Sequence, residues 1–497
     1  MEILYKSTRG GGEPVSASQA ILKGLADDGG LFVPDRIPVF DKTLDAFAEM
    51  SYQETAYEVM KLYLTDFTEE ELKQCIARAY DDKFDTEEIA PLAAVDGAYY
   101  LELFHGSTIA FKDMALSILP HLMTTAARKN QIKNEIVILT ATSGDTGKAA
   151  LAGFADVEGT RIIVFYPKDG VSPIQEKQMV TQKGDNTFVV GIHGNFDDAQ
   201  TGVKRIFADE ALKNRLDAHG FQFSSANSIN IGRLVPQIVY YVHACAVLFK
   251  EGKLKQGEKI NVVVPTGNFG NILAAYYAKQ MGLPIDALIC ASNENKVLFD
   301  FFQSGTYDRN REFILTSSPS MDILISSNLE RLVYRISGED GAKNRGFMDA
   351  LGKDGKYTID ETMREALDGF YGGYATQKEA GERIRAVYEQ TGYVLDPHTA
   401  VASVVYEKYR QETGDGKPAV IASTASPFKF TKSVMEAICP SCEEADDFAL
   451  ADRLSEMAHL DVPGAVEEIR NAPVRHDHVC EKGEMEQMIC GFLQIAD

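Results

Sequence analysis

One lysine, Lys112, stands in a sequence context that suits a nucleophile. It follows a run of small and apolar residues, Ser107–Phe111, and opens an apolar segment with helical spacing. A lysine that is partly removed from water has a lowered amine pKa and can attack a carbonyl carbon. Most lysines are solvated surface groups, so this pattern alone is a weak indication. Its interpretation depends on what the loops elsewhere in the chain supply.

A glycine-containing loop, Gly267–Asn271, has the features of a phosphate-binding site. It follows a predicted strand and precedes a predicted helix, whose first N–H groups form the positive end of the helix dipole. The loop lacks the Gly-Lys-Ser/Thr of nucleoside-triphosphate loops and the Gly-x-Gly-x-x-Gly of dinucleotide loops, so a single phosphate is the expected ligand. A plain tight turn is the alternative. The candidate residues are Gly267, Asn268, Phe269, Gly270 and Asn271.

Two further loops are rich in hydrogen-bond donors. Thr142–Gly147 places hydroxyls and backbone amides at a predicted helix start, which suits a carboxylate or a phosphate. Ala226–Arg233 offers Asn227, Ser228 and Asn230, and Arg233 can bond two oxygens of a phosphate at once. The alternative for Thr142–Gly147 is an ordinary capping cluster, and the alternative for Ala226–Arg233 is a helix cap with a surface arginine.

A nucleophilic lysine, a phosphate loop and two further anion sites together point to pyridoxal phosphate as the cofactor. This cofactor needs a lysine that forms a Schiff base and a site for its phosphate, and its amino-acid substrate needs a carboxylate site. A hydroxyl at a strand end, Thr424 or Ser423, is then expected to bond the pyridine nitrogen. A hydroxyl in that place leaves the nitrogen neutral.

Alternating strands and helices are expected to position these loops. The β-α-β-α-β pattern over residues 135–208 implies parallel strands, and α/β proteins bind ligands at the carboxyl ends of such strands. Pro120 is expected to kink or break the helix that follows Lys112. We predict the following domains: a mostly helical N-terminal domain (1–95), a large α/β domain (96–130 and 220–431), a small α/β domain (131–219) and a C-terminal helical extension (432–497).

Composition narrows the function further. A net charge of −23 and a pI near 4.9 disfavour nucleic-acid binding. The sequence has no run of eighteen apolar residues and no secretory signal, so we expect no membrane segment and a cytoplasmic location. The seven cysteines, odd in number and spread widely, are expected to be reduced thiols.

A cluster of potential metal ligands lies near the C-terminus. Cys439, Cys442, His476, His478 and Cys480 are residue types that can bind zinc. Their spacing matches no zinc motif, and a thioredoxin-like role for the two nearest cysteines needs a β-to-α junction that is not predicted there. We therefore predict no metal site.

The four motifs together resemble the threonine synthase family. The resemblance is carried by His105–Asp113, Thr142–Gly147, Asn227–Arg233 and Pro265–Asn271, and Tyr5–Arg9 with Gly24–Pro34 is similar to that family's extra N-terminal domain. It therefore covers nearly the whole chain in order. It implies an α/β fold of type II (tryptophan synthase β-like) with two parallel-sheet domains and a helical N-terminal domain.

The resemblance also implies an activity and residue roles. The reaction would convert O-phospho-L-homoserine and water to L-threonine and phosphate, the last step of threonine biosynthesis, in a monomer or small homo-oligomer. Lys112 would form the Schiff base, the loop from Gly267 to Asn271 would hold the cofactor phosphate, and Thr424 would face the pyridine nitrogen. The substrate phosphate would be met by Thr146, Asn227, Ser228 and Arg233, and the substrate carboxylate by Ser143.

Two alternative functions remain at this point. One is another lyase or dehydratase of the same fold, acting on a phosphorylated amine or on serine or threonine. The other is a non-catalytic regulator that binds a phosphate ligand or a metal, which would leave Lys112 without a role. The family usually has a histidine where this chain has Ser426, within Ser423–Phe430, so the resemblance implies no histidine role at this position.

Overall fold

Two mainly parallel sheets form the frame that positions the predicted loops. The computed structural model describes residues 2–142, 144–171, 173–442 and 446–495. The larger sheet has the strand order β13 (Phe370–Tyr374), β10 (Ile285–Ser292), β9 (Ile260–Pro265), β14 (Ala419–Ser423), β4 (Ala98–Glu102), β3 (Leu92–Val95). The smaller sheet has the order β15 (His478–Glu481), β7 (Thr187–His193), β6 (Thr160–Pro167), β5 (Glu135–Ala141), β8 (Phe221–Ser224). Two short antiparallel pairs, β1-β2 and β11-β12, complete the sheets seen in these ranges.

The first residues form a mostly helical unit, in line with the prediction. Ser16 caps its first helix, and Gln19 bonds back to the Ser16 backbone, which completes a capping box. The elements of this unit are β1 (Tyr5–Ser7), α1 (Ala17–Lys23), β2 (Phe32–Pro34), α2 (Leu44–Ala48), α3 (Tyr52–Tyr63) and α4 (Glu69–Ala79).

The larger sheet is parallel except at one edge, where β3 pairs with β4 in an antiparallel hairpin. Its strands are β3 (Leu92–Val95), β4 (Ala98–Glu102), β9 (Ile260–Pro265), β10 (Ile285–Ser292), β13 (Phe370–Tyr374) and β14 (Ala419–Ser423). The central strands β9 and β14 are buried along their whole length, as expected for strands covered on both faces.

The smaller sheet is parallel throughout, which confirms the prediction from the β-α-β-α-β pattern. Its strands are β5 (Glu135–Ala141), β6 (Thr160–Pro167), β7 (Thr187–His193), β8 (Phe221–Ser224) and β15 (His478–Glu481). The predicted C-terminal extension is therefore not wholly helical, because β15 adds an edge strand beside β7.

Helices cover both sheets. Those before the chain returns to the larger sheet are α5 (Asp113–Leu116), α6 (Leu119–Lys129), α7 (Asp145–Phe154), α8 (Pro173–Val180), α9 (Phe196–Ala208), α10 (Glu210–Ala218), α11 (Ile231–Lys250) and α12 (Gly270–Gln280). The later elements are α13 (Val297–Ser304), β11 (Thr306–Asp308), α14 (Leu329–Ile336), α15 (Gly341–Asp354), β12 (Lys356–Thr358), α16 (Glu361–Glu365), α17 (Gln377–Thr391), α18 (Pro397–Thr413), α19 (Thr431–Ile438), α20 (Asp447–Ala458), α21 (Gly464–Arg470) and α22 (Met485–Leu493). Two 3-10 helices also occur, at Pro319–Met321 and Pro427–Phe430.

Pro120 breaks the helix after Lys112, as predicted. The chain forms the short α5, leaves the α-helical pattern near Ser117 and starts again as α6, with Pro120 in the first turn. A proline is tolerated there because the first N–H groups of a helix have no intrahelical partner.

The apolar helix α11 packs inside the protein. It is long and apolar enough to cross a membrane by length and composition, but 94% of its most apolar window is buried within the fold. It contacts α2, α3, α5 and α12. Its hydrophobicity is therefore that of a core helix.

One expectation about the cysteines is wrong. Cys439 and Cys442 form a disulfide bond, whereas all thiols were expected to be reduced. The backbone explains the proximity, since the chain turns at the end of α19 and the Cys442 N–H donates to the Cys439 carbonyl. Within the described residues, no group of potential ligands is arranged to hold a metal ion.

Candidate active site

Lys112 lies at the start of α5, where the loop that carries it meets the end of β14. The Phe111 N–H donates to the Thr424 carbonyl oxygen (2.8 Å), and Ala110 bridges to Ala425. The Lys112 side chain is buried, in agreement with the expectation of a desolvated lysine. Its Nζ donates to Ser320 Oγ (3.0 Å) and to Asp145 Oδ2 (3.3 Å).

Asp145 is the carboxylate at the centre of this cluster. Its Oδ2 also accepts from Ser320 Oγ (2.9 Å), and its Oδ1 accepts from Gln175 Nε2 (2.9 Å) and lies 3.6 Å from Lys429 Nζ. Lys429 is fully buried and donates a further hydrogen bond to the Thr108 carbonyl oxygen. Two buried lysines therefore share one buried carboxylate.

This arrangement shifts the ionisation of both partners. Burial lowers the pKa of Lys112, and the positive charges of Lys429 and Arg233 lower it further, while Asp145 opposes the shift. Burial acts to raise the pKa of Asp145, but Lys112 and Lys429 outweigh it and hold that pKa well below its usual range. Asp145 is thus ionised, and Lys112 loses its proton more readily than a surface lysine.

The loop Gly267–Asn271 lies at the end of β9 and leads into α12. Phe269 adopts a left-handed backbone conformation (φ 65°), and its ring is buried against Phe302 and Phe370. The Asn268 carbonyl oxygen accepts from the Asn328 backbone and side chain. A non-glycine residue in this conformation costs free energy and is often found at functional sites.

Asn271, in the first turn of α12, has a buried donor that lacks an acceptor. Its Oδ1 accepts from the hydroxyls of Tyr240 and Tyr241, which fixes the orientation of the amide. Its Nδ2 is buried with no hydrogen-bond partner in the described part of the chain. Buried donors are rarely left unpaired in proteins, so this atom fits a bound oxygen atom such as that of a phosphate.

Thr424 lies at the carboxyl end of β14, next to the Lys112 loop. Its N–H donates to Thr399 Oγ1 (3.3 Å), and its carbonyl holds Phe111. Both backbone groups of this buried residue are therefore used by the protein. Its role toward a pyridine nitrogen stays a prediction.

Arg233 is the predicted anion-binding residue that the structure brings near Lys112. It is buried at the start of α11, and burial lowers its pKa to about 10. It donates one hydrogen bond, from Nη1 to the Ala226 carbonyl (3.0 Å), while its Nε is buried without a partner among the described residues. A buried, largely unpaired guanidinium is costly unless an anion joins it.

The other predicted substrate-binding residues have no described contact with Lys112. Asn227 is exposed and its Oδ1 accepts from Ser228 Oγ (3.3 Å), so these two side chains bond to each other. Thr146 is half-buried in the first turn of α7, beside Asp145. Ser143 lies outside the described residues. The roles of all four residues stay predictions.

The sequence alone does not identify the residues that form the cluster around Lys112 and Asp145. Asp145 and Lys429 lie inside quoted motifs, and an acidic or basic residue in a strand-end loop is a signal that could have found them. Ser320 lies in the 3-10 helix Pro319–Met321 and Gln175 lies in α8, and neither residue belongs to a motif identified from the sequence. Nothing in their local sequence indicates that the fold brings them to the Asp145 carboxylate.

His105, which precedes the Lys112 loop, joins two carboxylates. Its Nδ1 is 2.5 Å from Asp85 Oδ1 and its Nε2 is 2.9 Å from Glu102 Oε2. Burial acts to lower the pKa of His105, but the hydrogen bonds to Asp85 and Glu102 outweigh it and raise the pKa to about 9. His105 is therefore charged at neutral pH and ties the end of β4 to the chain after α4.

We expect this charged histidine to make stability depend on pH. Because the pKa is raised from 6.5 to about 9, the stabilisation is fully present below pH 6.5 and is lost as the pH rises through 9. Asp85 is mostly exposed, so solvent screens its interaction with His105. We therefore expect the free energy of unfolding to fall by about 1–2 kcal/mol over this pH range. Urea unfolding at several pH values from 6 to 10 measures this free energy. In His105→Gln the plot of unfolding free energy against pH should be flatter over the same range. An equal slope in both proteins would contradict the assignment.

Three family models match the chain in sequence order. The model for the threonine synthase N terminus matches residues 4–80, the model for pyridoxal-phosphate-dependent enzymes matches residues 87–425, and the model for the threonine synthase C-terminal region matches residues 399–476. The chain belongs to the threonine synthase family. Its central region is that of a pyridoxal-phosphate-dependent lyase of fold type II, which confirms the predicted fold class and cofactor.

Individual relatives support this family membership. Threonine synthase from Schizosaccharomyces pombe is 37% identical over 87% of this chain and 89% of its own length. Threonine synthase-like 1 from Homo sapiens is 39% identical over 85% of this chain, but the chain spans only 58% of that protein. The crystal structure of threonine synthase with bound pyridoxal phosphate from Brucella melitensis has a TM-score of 0.88 at 34% identity, and covers 99% of this chain and all of its own.

The residues present in this chain fit the cofactor. The buried lysine with a lowered pKa suits attachment to an aldehyde, and the unpaired Asn271 Nδ2 at the start of α12 suits its phosphate. These two features lie on loops at the ends of strands of the larger sheet. They come from side-chain geometry and are independent of the family match.

Proposed function

We propose that this enzyme converts O-phospho-L-homoserine and water to L-threonine and phosphate, the last step of threonine biosynthesis. The observation that carries the proposal is the buried Arg233 guanidinium, whose positive charge acts on Lys112 and whose Nε is unpaired within the described chain. The Asn271 loop accounts for one phosphate, that of the cofactor. Arg233 offers a second, separate anion site, which a phosphorylated substrate would fill.

Lys112, the loop from Gly267 to Asn271 and Thr424 would hold the cofactor. When bound, pyridoxal phosphate supplies an electron sink that makes the α-proton of an amino acid acidic. Lys112 is the residue placed to take up and return that proton, because its pKa is lowered and Asp145 and Ser320 fix the direction of its Nζ.

The substrate groups would be bound by residues of the smaller domain and α11. Arg233 would pair with the substrate phosphate, with Thr146, Asn227 and Ser228 supplying further donors. Ser143 and the N–H groups of its loop would meet the carboxylate. Asp145 keeps Lys112 and Lys429 oriented, and burial of the whole cluster excludes water that would compete for the same donors.

Phosphate release with three substrates tests the proposal. O-phospho-L-homoserine, O-phosphoserine and phosphoethanolamine are compared side by side with the holoenzyme, and the organic product is identified. We expect phosphate and threonine in equal amounts from O-phospho-L-homoserine, with much slower release from the other two. Equal rates with all three, or a product other than threonine, would contradict the proposal.

A second candidate is another phospholyase of the same fold. It is favoured by the 39% identity to a protein named threonine synthase-like 1 and by Ser426, which replaces the usual histidine of the family motif. Ser426 caps the 3-10 helix that carries Lys429 and does not contact Lys112 among the described hydrogen bonds. The substrate comparison above separates the two candidates.

The remaining predictions about the whole protein are also proposals. We infer a cytoplasmic enzyme that works as a monomer or small homo-oligomer and has neither nucleic-acid nor membrane partners. The acidic net charge of −23 argues against a nucleic-acid partner, and the burial of α11 in the core argues against a membrane partner. The division at residues 95, 130, 219 and 431 is likewise proposed from the sequence pattern.

A further inference from the structure

Ser320 contacts three parts of the site at once. Its Oγ joins Lys112 Nζ and Asp145 Oδ2, and its backbone oxygen packs on Gly267, where a Cβ atom would lie only 2.4 Å away. A small displacement of the turn at Pro319–Met321 would therefore disturb the lysine, its carboxylate and the phosphate loop together. What fixes this turn is then important for the reaction.

The turn is held by a histidine that is 78 residues further along the chain. The Ser320 N–H donates to His398 Nε2 (3.2 Å), and His398 Nδ1 is 2.8 Å from Asp396 Oδ1. Because Nε2 accepts a hydrogen bond, the proton of the ring is on Nδ1 and is donated to Asp396. Both residues are buried, and the Phe430 ring lies against the imidazole at 4.8 Å.

Asp396 also reaches the other side of the site. Its carboxylate caps α18 and accepts from the N–H and the hydroxyl of Thr399. Thr399 Oγ1 in turn accepts from the Thr424 N–H (3.3 Å). One carboxylate thus links the Ser320 turn to the strand end that is proposed to face the pyridine nitrogen.

We propose that His398 and Asp396 are positioning residues, which set Ser320 against Lys112 and Asp145. Neither residue contacts Lys112 among the described hydrogen bonds, so they act through the turn. A helix cap alone would need only Asp396, whereas the ring of His398 is required to reach the Ser320 N–H. The inference rests on the proposed function, since it concerns the orientation of the lysine that this function uses.

The test compares two substitutions of His398 in the holoenzyme. His398→Phe keeps the ring volume against Phe430 but removes the acceptor for Ser320, whereas His398→Gln keeps an acceptor oxygen near the Nε2 position. For His398→Phe we expect kcat to fall roughly 10- to 100-fold, with KM changed less than about threefold, as for a displaced catalytic group. The visible absorbance band of the lysine-bound cofactor should shift or weaken. His398→Gln should restore both to within about threefold.

Several outcomes would overturn the inference. A folded His398→Phe protein with the wild-type band and kcat would remove His398 from this role. If His398→Phe and His398→Gln lower kcat to the same extent, and lower the melting temperature to the same extent, the role of His398 is merely structural. If His398→Phe does not fold, Ser320→Ala must show the same change of the band, and a wild-type band there would refute the proposal. Wild-type protein without the band or phosphate release would contradict the proposed function instead.

Discussion

Replacing Lys112 with alanine should abolish turnover and the visible absorbance of the lysine-bound cofactor. Lys112 is the buried amine that Ser320 and Asp145 orient, and it is proposed both to attach the cofactor and to transfer the α-proton. Loss of a proton-transferring residue reduces a rate by at least about 10²–10⁴-fold, and loss of the attachment adds to this. We therefore expect kcat to fall at least about 10³-fold.

The effect should be specific to this lysine. Borohydride reduction of the wild-type holoenzyme, followed by peptide mass analysis, should place the cofactor on Lys112. The exposed Lys250 at the end of α11 is a matched control, and Lys250→Ala should keep both the band and the rate. The Lys112→Ala protein should remain folded, because Lys429 still lies beside the Asp145 carboxylate, and a thermal melt checks this. A variant that keeps the band and turnover would end the assignment.

The sequence predicted the parts of the fold that have strong local patterns. The first strand of the pattern that begins at residue 135 is found at Glu135–Ala141, and the strand predicted before the Gly267–Asn271 loop is found at Ile260–Pro265. These strands are runs of β-branched and apolar residues between clear turns, so local preference and burial agree. The break at Pro120 follows in the same way from the geometry of proline.

The elements that the sequence did not predict depend on contacts with distant parts of the chain. Strand β8 has only four residues, Phe221–Ser224, of which two are polar, and β15 alternates His, Val, Cys and Glu. Edge strands of this kind have little apolar pattern, and β15 forms because β7 offers an open edge nearly three hundred residues earlier. The disulfide between Cys439 and Cys442 differs from these strands, because it joins residues three positions apart and depends on the local turn after α19.

The candidate site was predictable where a motif lies on a single loop. Lys112, Arg233 and the Gly267–Asn271 loop were all identified from strand-end position and residue type. The contact between Ser320 and Lys112 joins residues 208 positions apart, and no local pattern specifies it. Asp145 illustrates the same limit, because its place in the loop is visible but its partners Lys429 and Gln175 are not.

Replacing Arg233 with alanine should weaken the binding of the phosphorylated substrate far more than the binding of the cofactor. A buried guanidinium that pairs with a buried phosphate contributes about 2–5 kcal/mol, which corresponds to a roughly 30- to 5,000-fold rise in KM. The dissociation constant of pyridoxal phosphate should change little, because the cofactor phosphate is proposed to bind at the loop Gly267–Asn271, which is separate from Arg233. Steady-state kinetics with O-phospho-L-homoserine and a cofactor titration measure the two quantities.

Two comparisons show whether Arg233 binds substrate or only packs. Arg233→Lys keeps the charge but cannot bond two oxygens side by side, so its KM should lie between those of wild type and Arg233→Ala. Arg331 offers a contrast, because its three side-chain nitrogens donate to Phe32, Asn328 and Ile229. Arg331→Ala should therefore lower the melting temperature. Arg233 makes one side-chain hydrogen bond, and its Nε is unpaired within the described chain. Since Arg233→Ala removes a poorly paired buried charge, the melting temperature of that variant should be unchanged or raised. A loss of stability in Arg233→Ala with an unchanged KM would show that Arg233 is structural and that the second phosphate site lies elsewhere.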